Sequence, residues 1–219
     1  MRSLSRPAEP RAWQDWRRTN PGVQDFAAVD PDAKQAAREV LSANQACLCA
    51  YCESRIGPDA ARLRFEHWLP QSDPACDPVD WRNLLGVCWD GLRASAPDRD
   101  PVAPYCETAR RDTPLHHHPY RDPKLEARFS YDRDGIVRGA DQDARDDIET
   151  LKLNHPLLCA NRRVVYERLQ ASLRRSGRSA AELRRVRARW STPGAQGDLP
   201  EFVSTALHHL DRWLRKAGQ

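Results

Sequence analysis

The sequence predicts an α+β fold, mainly helical, with a small cysteine-centred finger and one β-hairpin. Three observations predict it. Cys49 and Cys52 form a C-x-x-C knuckle in "CAYCESRI", and two short apolar segments follow, "LRFEHWLP" and "DWRNLLGVC". "RFSYDRDGIVRGA" alternates polar and apolar residues around Asp134-Gly135, a hairpin signal. From Asp146 onward the apolar residues recur at helical spacing.

In chain order, Asp30-Pro31 before "DAKQAAREVLSANQA" reads as an N-capped helix with proline at its first position, closing near Ala46. The knuckle follows, then Gly57-Pro58 as a turn. "LRFEHWLP" is expected as a short strand ending at Pro70, and "DWRNLLGVC" as a second extended segment. Residues 89–105 are rich in Pro, Asp and Gly and read as an irregular insertion. His116, His117 and His118 lie between two prolines, in an expected loop. Val165, Leu169 and Leu173 share one helix face, Ser179 with Glu182 makes a capping box, and Phe202, Leu207, Leu210 and Leu214 mark a last amphipathic helix. The expected divisions are 1–46, an N-terminal segment and helix; 47–125, the finger core; and 126–219, the hairpin and C-terminal helices, forming one compact unit with the core.

The chain of 219 residues can bury a substantial core, and 40% hydrophobic with 30% charged residues suits a soluble globular protein. No apolar run approaches the roughly 20 residues of a spanning helix. "MRSLSRPAEPRAW" lacks the apolar stretch of a secretory signal, so a cytoplasmic location is expected. Its seven cysteines then read as metal ligands or buried thiols rather than disulfides. Between Ala160 and Trp190 ten arginines face two glutamates. Such a stripe could neutralise phosphates; because the chain uses Arg almost everywhere in place of Lys, it could equally be solvated helix surface.

Cys88 and Cys106 lie beyond the first apolar segment, and with Cys49 and Cys52 they could hold zinc in a closed tetrahedral site. Spacing alone leaves this open against four separate buried thiols, the role assigned to Cys47, Cys76 and Cys159. Glu66-His67, then Asn83, then Cys106-Glu107-x-x-Arg110 carry polar chemistry. An acidic residue beside His, an Asn further on and a polar residue opening a helix follow the order of an HNH ββα-metal nuclease site. Phosphodiester hydrolysis needs a base for water, which a neutral His supplies near pH 7. It also needs a hard divalent cation held by carboxylates. Adjacent strand residues point to opposite faces, so Glu66 and His67 can cooperate only where the strand breaks.

The run "CAYCESRI … FEHWLPQS … WRNLLGVC … YCETARR" resembles the HNH endonucleases of the Septu and retron-associated antiphage systems, the PtuB-like family. The likeness spans roughly residues 5–170 and includes "FSYDRDGIVRG" and "DIETLKLNHPLLCANRRVV". It implies a treble-clef-like ββα-metal finger pinned by a structural zinc on Cys49, Cys52, Cys88 and Cys106. It implies His67 as general base, Glu66 and Glu107 as ligands of a catalytic Mg²⁺ or Mn²⁺, Asn83 as brace of the base loop, and Arg110 in contact with phosphate. It also implies an ABC/SMC-like ATPase partner (PtuA-like) and a nucleic-acid substrate, DNA before RNA, with no membrane role. The alternatives are a zinc-finger-type adaptor that binds nucleic acid or protein without cutting, and a stand-alone restriction-type HNH nuclease. Trp13 and Trp16, ahead of the first clear element, read as a docking surface for the partner. The C-terminal stripe reads as self-packing.

Overall fold

The computed structural model describes residues 1–89, 103–176 and 178–218. The architecture is α+β, with seven helices and two small antiparallel sheets among the described residues. None of these helices is long and apolar enough to cross a membrane. The irregular insertion expected over 89–105 falls for the most part, at 90–102, outside the described residues.

Helix α1 (Arg11–Thr19) buries Trp13 and Trp16, three residues apart on one face. This corrects the docking expectation: Trp13 is fully buried, its indole packs on Phe26, Phe65 and Trp81, and its Nε1 donates to the Val79 carbonyl at 3.1 Å. Helix α2 (Pro31–Asn44) starts with proline and buries Ala33, Ala37 and Leu41 at four-residue spacing. Asp30 precedes it, as expected, but makes no side-chain cap bond.

The finger follows. Strands β1 (Leu63–His67) and β2 (Leu84–Cys88) pair antiparallel, with Leu63 opposite Cys88 and His67 opposite Leu84. A short helix, α3 (Glu107–Arg110), completes the ββα order. Strand β1 ends at His67, three residues before the proline expected to stop it. Gly86 sits where a Cβ would meet Leu63 at 3.0 Å and the Gln45 amide at 3.3 Å. That fully buried amide donates to the Leu48 and Gly86 carbonyls and accepts from the Gly86 N–H, tying the end of α2 to β2.

The expected hairpin is β3 (Phe129–Tyr131) with β4 (Val137–Gly139). Helix α4 (Gln142–Thr150) is capped by Asp141, which accepts from the Ala144 N–H at 2.9 Å. In α5 (Pro156–Ser176), Leu158, Arg162, Val165, Leu169 and Leu173 face inward. Ser179 caps α6 (Ala180–Ser191) through the Glu182 N–H at 3.2 Å, the Ser half of the expected box. Helix α7 (Val203–Ala217) packs on α5, α6 and β3. One main apolar cluster runs from Trp13 through Tyr51 and Leu84 to Leu151 and Leu210.

Candidate functional site

The four thiols come together. The Sγ atoms of Cys49, Cys52, Cys88 and Cys106 all lie within 4.8 Å of one another, and all four residues are buried. Cys52 and Cys88 are 3.6 Å apart at sulfur. Zinc–thiolate bonds in a tetrahedron give sulfur–sulfur edges of about 3.8 Å, so the set fits a structural zinc.

The chain is bent to bring these sulfurs there. The Glu53 N–H donates to the Cys49 carbonyl, Glu53 takes a left-handed φ of 65°, and Ser54 turns its carbonyl back to the Cys49 N–H at 2.9 Å. Cys88 arrives at the end of β2. Cys106 takes φ 54° and donates its N–H to the Leu151 carbonyl at 2.8 Å just before α3 begins. Burial alone would raise the Cys49 thiol, but hydrogen bonds from Cys106, Cys52 and Cys88 outweigh it and hold Cys49 well below the ordinary thiol value. Burial and the bonds to the other sulfurs push Cys106 up. One thiolate shared among the sulfurs is thus favoured, while Cys88 and Cys106 are held as thiols whose protons a bound metal would displace.

Strand β1 carries Glu66 and His67 to opposite faces. His67 lies with Phe65, its ring edge-on to Phe26 at 5.0 Å, and is 7% exposed. Its Nε2 is 2.8 Å from the Pro78 carbonyl, so that nitrogen carries the proton. The lone pair is therefore on Nδ1, where the Gln71 side-chain amide donates at 2.8 Å. Burial lowers the His67 pKa below its usual value of 6.5, partly offset by the Pro78 carbonyl, so the ring is neutral at pH 7.

Asn83 fastens the loop beyond His67. Its Oδ1 accepts from the Leu69 N–H at 2.7 Å, its Nδ2 donates to the Leu69 carbonyl at 3.0 Å, and its own carbonyl accepts from the Trp68 N–H at 2.9 Å. The same Nδ2 lies 3.4 Å from the sulfur of Cys76.

On the other face, Glu66 is 6% exposed and accepts from the Tyr51 hydroxyl at 3.2 Å and from the Arg110 guanidinium. Burial pushes its carboxyl up to about 7 against the pull of Arg110. Glu107 is half-buried beside Arg64, with 3.8 Å between charged atoms. Glu66, Glu107 and His67 form no metal-holding group among the described residues; the four-cysteine set is the group that does. Arg110, expected at phosphate, is instead 1% exposed and enclosed by protein acceptors, because the short helix aims it back at β1.

Sequence reasoning assigned no role to Gln71, Tyr51 or the Pro78 carbonyl. Gln71 and Tyr51 lie inside the quoted motifs, yet only the folded loop shows what they touch. In the arginine stripe, Arg162 is buried and donates to the Gly135 and Leu153 carbonyls, while Arg185 and Arg187 pair with Glu182 and Asp211. Arg168, Arg174, Arg175, Arg184 and Arg189 remain exposed.

No family model matches the chain. It is 28% identical over 169 residues to the "Retron Vc95 putative HNH endonuclease" of Vibrio cholerae serotype O1 biovar El Tor, covering 74% of this chain and 78% of the relative. That likeness spans most of both chains.

Proposed function

We propose that the protein is an endonuclease that hydrolyses phosphodiester bonds, with His67 as general base and the four-cysteine zinc as a structural pin. The observation that carries this reading is the His67 ring: neutral, fixed in one tautomer by the Pro78 carbonyl, and presenting Nδ1 beside an exposed, displaceable amide. A water that replaces the Gln71 amide would give its proton to Nδ1 as its oxygen bonds to phosphorus, while the bond to the 3′-oxygen breaks and that oxygen takes a proton from solvent, leaving a 5′-phosphate and a 3′-hydroxyl. Asn83 keeps the loop from drifting as the amide moves away. A divalent cation would supply charge stabilisation at the phosphate, and Mg²⁺ or Mn²⁺ suits carboxylate ligands. Glu66, bound by Arg110, does not form a ready ligand pair with Glu107 as folded.

The retron name of the relative favours a role in defence; an ATPase partner and DNA as the preferred target belong to the same proposal and rest on the resemblance of the sequence motifs alone. The closed Glu66–Arg110 contact favours the second reading, a zinc-finger-type adaptor without cleavage. Digestion of plasmid, phage DNA and total tRNA, with and without EDTA and with the ATPase present, separates them. Cation-dependent cutting supports the nuclease, and intact substrates in every arm support the adaptor.

A further inference from the structure

We infer that Glu66 and Arg110 form a buried clamp that positions the His67 end of β1, and that the Glu66 carboxylate serves this guanidinium rather than a cation. The positioning role rests on reading His67 as the base; the pairing stands on geometry alone. Arg110 Nη1 reaches Glu66 Oε1, the Tyr51 hydroxyl at 3.3 Å and the His67 carbonyl at 3.0 Å. Its Nη2 donates to the Trp68 carbonyl, and its Nε donates to the Thr113 carbonyl at 2.9 Å. All three guanidinium nitrogens are thus engaged, and no face of the group reaches solvent.

Charge argues the same way. A divalent cation on Glu66 would stand against the guanidinium in a buried setting with little water to screen it. Arg110 cannot release its proton to make room. The pair is also mechanically placed. Arg110 closes α3, which starts beside the zinc-site residue Cys106, and it grips the two carbonyls at which β1 ends. The zinc finger thereby fixes the His67 backbone from one side while Asn83 fixes Leu69 from the other.

The test uses the zinc-loaded full chain. Measured well above the raised Glu66 value of about 7, where the carboxyl is ionised, Glu66→Gln and Arg110→Met should each lower Tm by about 10 °C, because each leaves a buried charge without its partner. The Glu66→Met/Arg110→Met double should lose less than the two singles together. Mn²⁺ uptake, followed by electron paramagnetic resonance, should be the same in Glu66→Gln as in wild type. In Arg110→Lys, which keeps the charge but not the fork, the His67 imidazole nitrogens should shift by NMR even as Tm recovers. Unchanged Tm in Glu66→Gln, or loss of its Mn²⁺ uptake, would overturn the clamp; unmoved His67 nitrogens would overturn the positioning role. Should a single variant fail to fold, the double decides: soluble protein with wild-type uptake supports the clamp, and insoluble protein overturns it. Wild type that takes up no Mn²⁺ counts against the nuclease reading, and the Tm comparison then decides the clamp by itself.

Discussion

His67 has both ring nitrogens committed, and its chemistry follows from which one keeps the lone pair. With Nε2–H held by the Pro78 carbonyl, protonation at Nδ1 would disable His67 in its proposed role as base. Burial lowers that pKa below 6.5, so the base is lost only as pH falls through the lowered value. The acid limb of a cleavage–pH profile is therefore expected below pH 6.5. Gln71→Ala, which opens Nδ1 to water, should move that limb upward. Because His67 packs edge-on against Phe26, truncation to alanine would leave a cavity; His67→Gln is the cleaner change. It should cut cleavage by about 10²–10⁴-fold with little change in Tm. The thiols divide by the same reasoning. Cys52→Ser or Cys106→Ser should lose zinc and soluble yield, whereas Cys47→Ser, outside the quartet, should keep about one zinc per chain by metal analysis.

At the scale of elements, Gly135 in the hairpin turn shows how tightly neighbours are fitted. It sits at φ +81°, and a Cβ there would lie 2.1 Å from the Cys159 carbonyl oxygen of α5. Gly135→Ala should cost about 2–5 kcal/mol from strain and overlap together, read as a lower urea midpoint. The sequence announced this turn, as it did α2, β2 and the Ser179 cap, because each signal is local: Asp-Gly, a proline at a helix start, an apolar run, a hydroxyl before a helix. It did not announce Arg110. The spacing Cys-Glu-x-x-Arg places a cation near the finger whichever way its side chain turns; only the path of α3 sends it inward to β1. Arg162 was hidden in the same way, an arginine among ten whose register puts it on the apolar face of α5. The cysteine quartet was legible in composition and order, but its closure needed Cys106 to be turned back by the Leu151 carbonyl.

Across the whole molecule the finger is continuous with the rest. Tyr51, Cys49, Leu84 and Cys106 belong to the same apolar cluster as Trp13, Ile148 and Leu210. Zinc removal should therefore lower the melting of the whole chain in one transition rather than release a separate finger. Trp13, an expected partner contact, was misread because its partners Phe65 and Trp81 are distant in sequence and close in space. Trp13→Ala should cost about 3–5 kcal/mol in the chain alone, so loss of a partner in that variant reports unfolding before it reports an interface. The most direct measurement is plasmid nicking by zinc-loaded wild type and His67→Gln proteins of matched Tm, with the proposed ATPase partner and Mg²⁺ or Mn²⁺ present. Nicking by wild type that His67→Gln abolishes is the expected result. Equal nicking by the two, or none by wild type on plasmid, phage DNA or tRNA, would contradict it.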